Sequence, residues 1–167
     1  MNDFSTIEET LDKYGSFIIA PVGISMLPLL RWGKDTVVIE RLKRPPQKHD
    51  MILYKRNNGQ YVLHRLLEIR KRDYVMCGDN QFIREYGITD KNIIGICTGI
   101  YRKEKYVSCQ NPLYRLYVRF WCFSIPLRRV MLFSINFARC VKNYLAVRLK
   151  KIRASKFFAK KMLNRDK

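Results

Sequence analysis

Three polar positions interrupt apolar stretches of the sequence and could together perform chemistry. Ser25 lies in "PVGISMLPLL", within an uncharged run over residues 14–30, and His64 interrupts the alternation of "YVLHRLLEI". An acid follows in "YVMCGDNQFIREYG", either Asp79 or Glu85. A serine hydroxyl becomes a nucleophile when a base takes its proton, and an imidazole base needs a partner that fixes its tautomer. This order of residues therefore permits a nucleophile, a general base and an orienting acid.

Each residue also has a simpler structural interpretation. Ser25 could cap a turn, and His64 could be a hydrogen-bonded histidine of the core. The sequence Gly-Asp-Asn at 78–80 could be a type I turn held by Asx hydrogen bonds. Glu85 could be a solvated loop carboxylate. Composition alone does not bring these residues together, so whether they can meet depends on the strands and loops that carry them.

Those elements predict a mainly β domain. Ser5 followed by Glu8 is a capping-box pattern that starts a short helix ending at Gly15. Short apolar and β-branched runs between turn residues predict strands at 17–22, 36–40, 51–55, 61–69, 74–77 and 93–101. Asn58-Gly59 is a strong hairpin-turn signal, so the strands on either side of it should pair antiparallel. After Pro112 the pattern changes to helix-compatible stretches that are broken at Pro126.

Charge divides the chain into two regions. The formal net charge is +19, and residues 113–167 hold 15 Lys or Arg against one acid, Asp166. Residues 1–112 hold 18 Lys or Arg against 13 acids. A chain of 167 residues can bury one ordinary core but not two full-sized ones. We therefore predict a β-rich domain over 1–111 and a basic helical tail over 112–167, which requires an anionic partner.

The five cysteines contain neither a CxxC pair nor a Cys/His metal pattern. They predict free thiols in a reducing compartment, and no metal or other cofactor is expected. The N-terminus, "MNDFSTIEETLDKYG", is acidic where an export signal would be basic and then apolar. The uncharged run over 14–30 contains glycines and prolines and is short for a transmembrane helix. The sequence therefore predicts no spanning segment.

The segments "GISMLP", "VLHRLLEI", "YVMCGDN" and "IIGICTGIY" resemble, in order and spacing, the signal peptidase I superfamily. The resemblance covers about residues 17–101 and is strongest to the Ser/His branch, which includes the endoplasmic-reticulum and archaeal-type signal peptidases. It implies a β-rich catalytic core in which Ser25 attacks a peptide carbonyl and His64 is the base. A neighbouring branch uses a lysine base, but no lysine flanks His64 here. The other histidine, His49, lies in a proline-rich connection and is expected at the surface.

The resemblance leaves the acid and the oxyanion hole less defined. In the Ser/His branch the orienting carboxylate is often six residues after the Asp of the Gly-Asp-Asn box, which is Glu85 in this chain. Asp79 remains the other candidate. Two residues before the serine, many signal peptidases carry a hydroxyl that donates to the tetrahedral intermediate, but here that residue is Gly23. The hole would then depend on backbone donors, including the N–H of Ser25.

The tail combines aromatic and leucine side chains with Arg or Lys in every apolar run. Several of its cations are spaced by eleven residues and would share one side of a continuous helix. This composition is typical of a helix in an anionic bilayer surface, and we expect membrane association at the cytoplasmic face. The candidate membrane contacts are Phe120, Trp121, Phe123, Arg128, Arg139, Lys142 and Lys150. A helix packed on its own domain is an alternative, and a nucleic-acid tail ranks last because such tails are usually less apolar.

Taken together, the sequence predicts a serine endopeptidase of signal-peptidase type that cleaves leader or signal peptides. Its expected partners are a peptide or precursor-protein substrate and an anionic membrane surface. One alternative is a catalytically idle peptide-binding domain of the same fold. Another is a cationic nucleic-acid-binding regulator with a repressor-like core.

Overall fold

The structure is a computed structural model that describes residues 6–124 together with Tyr144 and Arg148. The chain forms two compact units, Met1–Pro126 and Leu127–Lys167. In the first unit the elements are α1 (Ile7–Tyr14), β1 (Ser16–Ile19), β2 (Asp35–Glu40), β3 (Met51–Lys55), β4 (Tyr61–Ile69), β5 (Tyr74–Cys77), β6 (Glu85–Ile88), a short 3-10 helix (Asp90–Asn92), β7 (Ile93–Arg102), β8 (Lys105–Ser108) and α2 (Pro112–Phe123). The candidate membrane contacts at positions 128, 139, 142 and 150 lie outside the described residues.

The eight strands form one antiparallel sheet, in the order β1-β2-β7-β3-β4-β5-β6, with β8 paired to β7. The predicted hairpin is confirmed, because β3 and β4 pair with Ile52 opposite His64 and Lys55 opposite Tyr61. Gly59 closes its turn at φ +85°, a conformation that favours glycine. The mainly β fold with a short N-terminal helix is therefore confirmed.

Both faces of the sheet carry a core, because successive side chains of a strand point to opposite sides. On β3, Leu53 belongs to one cluster, while Ile52 and Tyr54 belong to the other. The first cluster also takes up side chains from the loop between β1 and β2. The central strands β3 and β4 are thus fixed from two sides, which gives a rigid platform for any side chain that they carry.

Local details differ from the sequence-based prediction at three places. The capping box uses Thr6 and Glu9, one residue later than predicted: Glu9 N donates to Thr6 Oγ1 at 3.1 Å, and Thr6 N donates to Glu9 Oε2 at 2.8 Å. The first strand ends at Ile19 rather than at residue 22. The strands β6 and β8 were not predicted, since both are short and mostly solvent-accessible, with little apolar alternation.

The helix α2 packs on the β domain. Asn111 Oδ1 caps its first turn by accepting from Leu113 N at 2.9 Å. Val118 is buried, and Trp121 Nε1 donates to the carbonyl oxygen of Asp79 at 3.0 Å. The predicted boundary after residue 111 puts this helix in the tail, whereas the first compact unit extends through it to Pro126. Among the described residues, no helix combines the length and the apolar character needed to cross a bilayer.

Candidate active site

The loop between β1 and β2 presents Ser25. Its apolar residues Met26, Leu29 and Leu30 are buried in the first core cluster, which anchors the loop to the sheet. Gly23 has φ +99°, in the left-handed region, and a Cβ there would meet no atom within 4 Å. Backbone conformation, rather than lack of space, therefore requires glycine at this position. Ser25 follows two residues later and is half-buried.

The Gly-Asp-Asn turn holds the backbone of this loop. Asn80 N donates to the carbonyl oxygen of Ser25 at 2.7 Å. A Cβ on Gly78 would lie 2.7 Å from the same oxygen, so the close approach of the two segments depends on glycine there. Within residues 6–124 neither the hydroxyl nor the N–H of Ser25 has a hydrogen-bond partner. Both groups are therefore free to interact with a bound substrate.

His64 lies in the centre of the sheet and is only 3% exposed. Its Nδ1 is 3.1 Å from Glu85 Oε1 and 3.2 Å from the hydroxyl of Tyr54. The hydrogen bond at Nδ1 is with the Tyr54 hydroxyl, and the Glu85 carboxylate contacts the same nitrogen as a charge. A neutral imidazole carries its one N–H on either ring nitrogen. With the proton on Nδ1, Nε2 keeps its lone pair. This tautomer is the one that can act as a general base.

Glu85 begins β6, at the edge of the sheet, and is clamped by an arginine. Arg56 Nε donates to Oε2 at 2.8 Å and Arg56 Nη2 donates to Oε1 at 2.5 Å. Burial alone would raise the pKa of Glu85, but hydrogen bonds from Arg56 and Tyr54 outweigh burial and lower that pKa. Glu85 is consequently a carboxylate at neutral pH, as an orienting acid must be.

The protonation state of His64 suits the same role. Burial is the main influence and lowers the pKa of His64, Glu85 opposes it, and the Arg56 cation adds to the lowering. The net pKa lies below the ordinary histidine value of about 6.5. His64 is therefore neutral at neutral pH and able to accept a proton.

The neighbouring residue Arg65 points to the opposite face of β4 and is fully buried. Its Nε and Nη2 each donate to Asp79, to Oδ1 and Oδ2 respectively, at 2.7 Å. Its Nη1 donates to the carbonyl oxygen of His49 at 2.9 Å. The two candidate acids thus have different partners, Glu85 at His64 and Asp79 at Arg65. His49 is half-buried with φ +78°, so the expected surface position was only partly right.

One cavity brings the predicted nucleophile and base together. It has a volume of about 490 Å³ and is lined by Gly23, Ser25 and His64, among others. Ser25 and His64 make no hydrogen bond with each other in this structure. Hydrogen bonds between catalytic groups are often long without substrate and tighten in the substrate complex. Ser25 and His64 therefore line the same cavity, while Glu85, which contacts His64, is not part of its lining.

Two residues of the site were missed by the sequence analysis. Tyr54 is fully buried beside His64, and the hairpin signal could have found it, because the turn at 58–59 sets the register that puts both side chains on one face. Arg56 follows β3 directly. Its partner Glu85 reaches it from β6, which the sequence pattern did not reveal, so no local signal pointed to this pair.

Comparison of the chain with known protein families, with curated proteins and with solved structures gives no match. The resemblance to signal peptidases therefore stays a prediction that rests on the four quoted segments. Over the part of the chain that the structure describes, no group of three or more His, Cys, Asp or Glu side chains is arranged to hold a metal ion. Among the described residues, Cys77, Cys97, Cys109 and Cys122 form no disulfide bond.

Asp79→Asn should strongly destabilise the fold, by about 3–5 kcal/mol in the free energy of unfolding, because it leaves Arg65 charged and buried without its counter-ion. Urea denaturation followed by circular dichroism measures this. Asp12→Asn is the matched control, since Asp12 pairs with Arg41 at the exposed surface and such pairs contribute little. Equal, small losses in both variants would contradict a structural role for Asp79.

Proposed function

We propose that the protein is a serine endopeptidase that cleaves leader or signal peptides, with Ser25 as nucleophile, His64 as general base and Glu85 as orienting acid. The observation that supports this most directly is the 3.1 Å contact between His64 Nδ1 and Glu85 Oε1, because His64 lines the same cavity as Ser25. The buried, neutral histidine has the protonation state that the reaction needs.

The reaction would proceed in two steps. Ser25 Oγ attacks the substrate carbonyl carbon while its proton moves to His64 Nε2, and the carbonyl oxygen becomes an oxyanion. The free N–H of Ser25 is placed in the same turn and would donate to this oxyanion. Collapse of the tetrahedral intermediate releases the leaving amine, which takes the proton from His64. Water then hydrolyses the acyl-enzyme by the same proton path. Glu85 stabilises the imidazolium in both steps.

The substrate would bind as an extended strand. β1 lies at one edge of the sheet, and the chain that continues from it, from Ile19 to Ile24, lines the cavity. An added peptide strand gains main-chain hydrogen bonds along such a segment. Val22 and Ile24 are 81% and 62% exposed there and would contact apolar side chains of the substrate. A preference for small residues before the scissile bond follows from the resemblance alone.

A second candidate is a peptide-binding domain of the same fold without turnover. The absence of a hydrogen bond between Ser25 and His64 favours it. Such a domain would keep the cavity and the exposed apolar rim but would not cleave. A serine-reactive phosphonate probe separates the two functions, because an activated Ser25 becomes labelled and an idle one does not.

Ser25→Ala and His64→Ala should each abolish peptidase activity without unfolding the protein. Because the groups act as a unit, the double variant should be hardly worse than either single variant. Cleavage of a leader-like peptide, followed by mass spectrometry, measures the rate. Ser16→Ala, at an exposed serine of β1, is the control and should keep the full rate. Undiminished cleavage by Ser25→Ala would exclude the proposed nucleophile.

Glu85→Gln should lower kcat by about 10²–10⁴-fold, because an amide no longer fixes the Nδ1–H tautomer or stabilises the imidazolium. Glu68→Gln removes a carboxylate that pairs with Arg70 at the surface of the same sheet and should leave kcat unchanged. If the two variants turn over at the same rate, Glu85 does not orient the base.

The pH dependence of kcat/KM tests the state of His64. Only neutral His64 can accept a proton, and its pKa is lowered, so the rising limb should lie below the ordinary value of about 6.5. Glu85 raises the pKa of His64 and Arg56 lowers it, so Glu85→Gln should move the limb to still lower pH. A limb above pH 6.5, or one that moves upward in Glu85→Gln, would speak against this base.

Gly23→Ala should lower kcat while Gly15→Ala should not. Both glycines have positive φ and open space around a Cβ, so each substitution adds similar backbone strain, about 1–2 kcal/mol. Only Gly23 shapes the turn that presents Ser25. Parallel measurement of melting temperature and kcat separates the two effects, and equal kcat values would show that the turn conformation is unimportant for activity.

A further inference from the structure

Helix α2 has an apolar stripe on its outer side. At about 100° per residue, the side chains fall into an inner stripe that packs on the domain, an outer stripe and a cationic stripe between them. The inner stripe consists of Tyr114, Tyr117, Val118 and Trp121. The outer stripe consists of Leu113, Leu116, Phe120 and Phe123, which are 76%, 66%, 69% and 86% exposed. Of the predicted membrane contacts in this helix, Phe120 and Phe123 face outward, and Trp121 faces the domain.

The cationic stripe is formed by Arg115 and Arg119. Both are exposed, α2 contains no acidic residue, and neither arginine has a carboxylate within 4 Å among the described residues. They line a cavity of about 560 Å³ between α2 and the connection before β3, where Lys48 is a further wall residue. Lys48 and Arg119 also line a second cavity, of about 460 Å³, together with Phe123. Cations and an outer-stripe aromatic ring therefore meet at one place.

The acids of the larger cavity are already engaged. Asp50 accepts from Arg44 at 2.8 and 2.9 Å, and Glu40 Oε2 lies 3.9 Å from the Lys43 ammonium group. Lys48, Arg115 and Arg119 consequently leave the cavity with unbalanced positive charge. The lowered pKa of His49 is consistent with this positive charge. Burial lowers the pKa most, and the neighbouring cations lower it further, with Lys48 the strongest of them. An anion of phosphate size would be attracted to this position.

We propose that α2 is the docking surface for an anionic phospholipid bilayer. Lys48, Arg115 and Arg119 bind the headgroup phosphate in the cavity, and the outer stripe enters the acyl boundary. Contact with an anionic membrane was expected for the tail as a whole. The structure adds a defined face and a headgroup site to that expectation. This inference is independent of the proposed peptidase activity.

Charge favours an anionic bilayer on α2 over two alternatives, residues 127–167 and a second copy of the chain. Residues 127–167 carry 13 Lys or Arg against one acid, so covering α2 with them would bring like charge beside Arg115 and Arg119. A second copy of a chain with a net charge of +19 meets the same repulsion. An anionic bilayer offers both a negative surface and an apolar layer directly beneath it.

Co-sedimentation of the full chain with phosphatidylglycerol–phosphatidylcholine vesicles tests the proposal. Arg115→Gln/Arg119→Gln should lower the partition coefficient about 30-fold, which corresponds to ~1 kcal/mol for each cation near the surface. Lys71→Gln/Arg72→Gln removes the same charge from the turn between β4 and β5 and should change binding no more than a few-fold. The loss in the α2 variant should shrink at high salt, because salt screens exposed charges.

The apolar contribution has its own variant. Phe120→Ser/Phe123→Ser should also weaken binding at least tenfold, and this loss should persist at high salt. Ile69→Ser, at an exposed isoleucine of β4, is its control. Melting temperatures should match the wild type, because all these side chains are exposed.

Three results would overturn the proposal. The first is that the full chain does not sediment with anionic vesicles, or sediments equally with purely phosphatidylcholine vesicles. The second is that both α2 variants bind like the wild type, which would assign the interaction to residues 127–167. The third is tight, salt-sensitive binding to duplex DNA that depends on Arg115 and Arg119, which would make α2 a nucleic-acid surface.

Discussion

A buried ion pair between Arg65 and Asp79 connects the parts of this protein on which the candidate site depends. Arg65 comes from the middle of β4, and Asp79 comes from the turn after β5. The same guanidinium also donates to the carbonyl oxygen of His49 and lies 3.4 Å from the hydroxyl of Tyr114 in α2. A buried charge that loses its partner destabilises the folded state. The contacts with Arg65 therefore hold each of these segments in place.

The alternation of side chains along β4 places the His64 contacts and the Arg65 ion pair on opposite faces of the sheet. His64 and Arg65 are consecutive, so they project to opposite faces, and each meets its own carboxylate. Asp79 is committed to the buried pair, which leaves Glu85 for the histidine. Arg56 and Tyr54 fix Glu85 in turn and keep it ionised. Every charged group in the network around His64 thus has a partner. Buried polar groups need such partners to be stable.

Much of the fold was predictable because its signals are local. The hairpin of β3 and β4 follows from alternation and from one turn dipeptide, and the antiparallel pairing of the two strands is confirmed. The start of α1 was off by one because "STIEE" contains two overlapping capping boxes, Ser5 with Glu8 and Thr6 with Glu9, and the chain alone does not choose between them. The strands β6 and β8 were missed because short, mostly exposed strands depend on the neighbours that they pair with.

The candidate site could be predicted only in part for the same reason. Ser25 and His64 were singled out by polarity within apolar runs, and they line one cavity in the structure. The sequence does not choose between Asp79 and Glu85, since both follow the same strand and only the two faces of β4 distinguish their partners. Tyr54 and Arg56 reach the site through register and through an unpredicted strand, which are long-range properties of the sheet.

Helix α2 and the Ser25 loop both contact the turn at residues 78–80. Trp121 donates to the carbonyl oxygen of Asp79, and the next residue, Asn80, donates from its backbone to the carbonyl oxygen of Ser25. Gly78, on the other side of Asp79, allows that approach. A single turn therefore receives a hydrogen bond from α2, an ion pair from β4 and the backbone of the Ser25 loop. Because these contacts converge within three residues, a displacement of α2 would act first on Asp79 and next on the loop that presents Ser25.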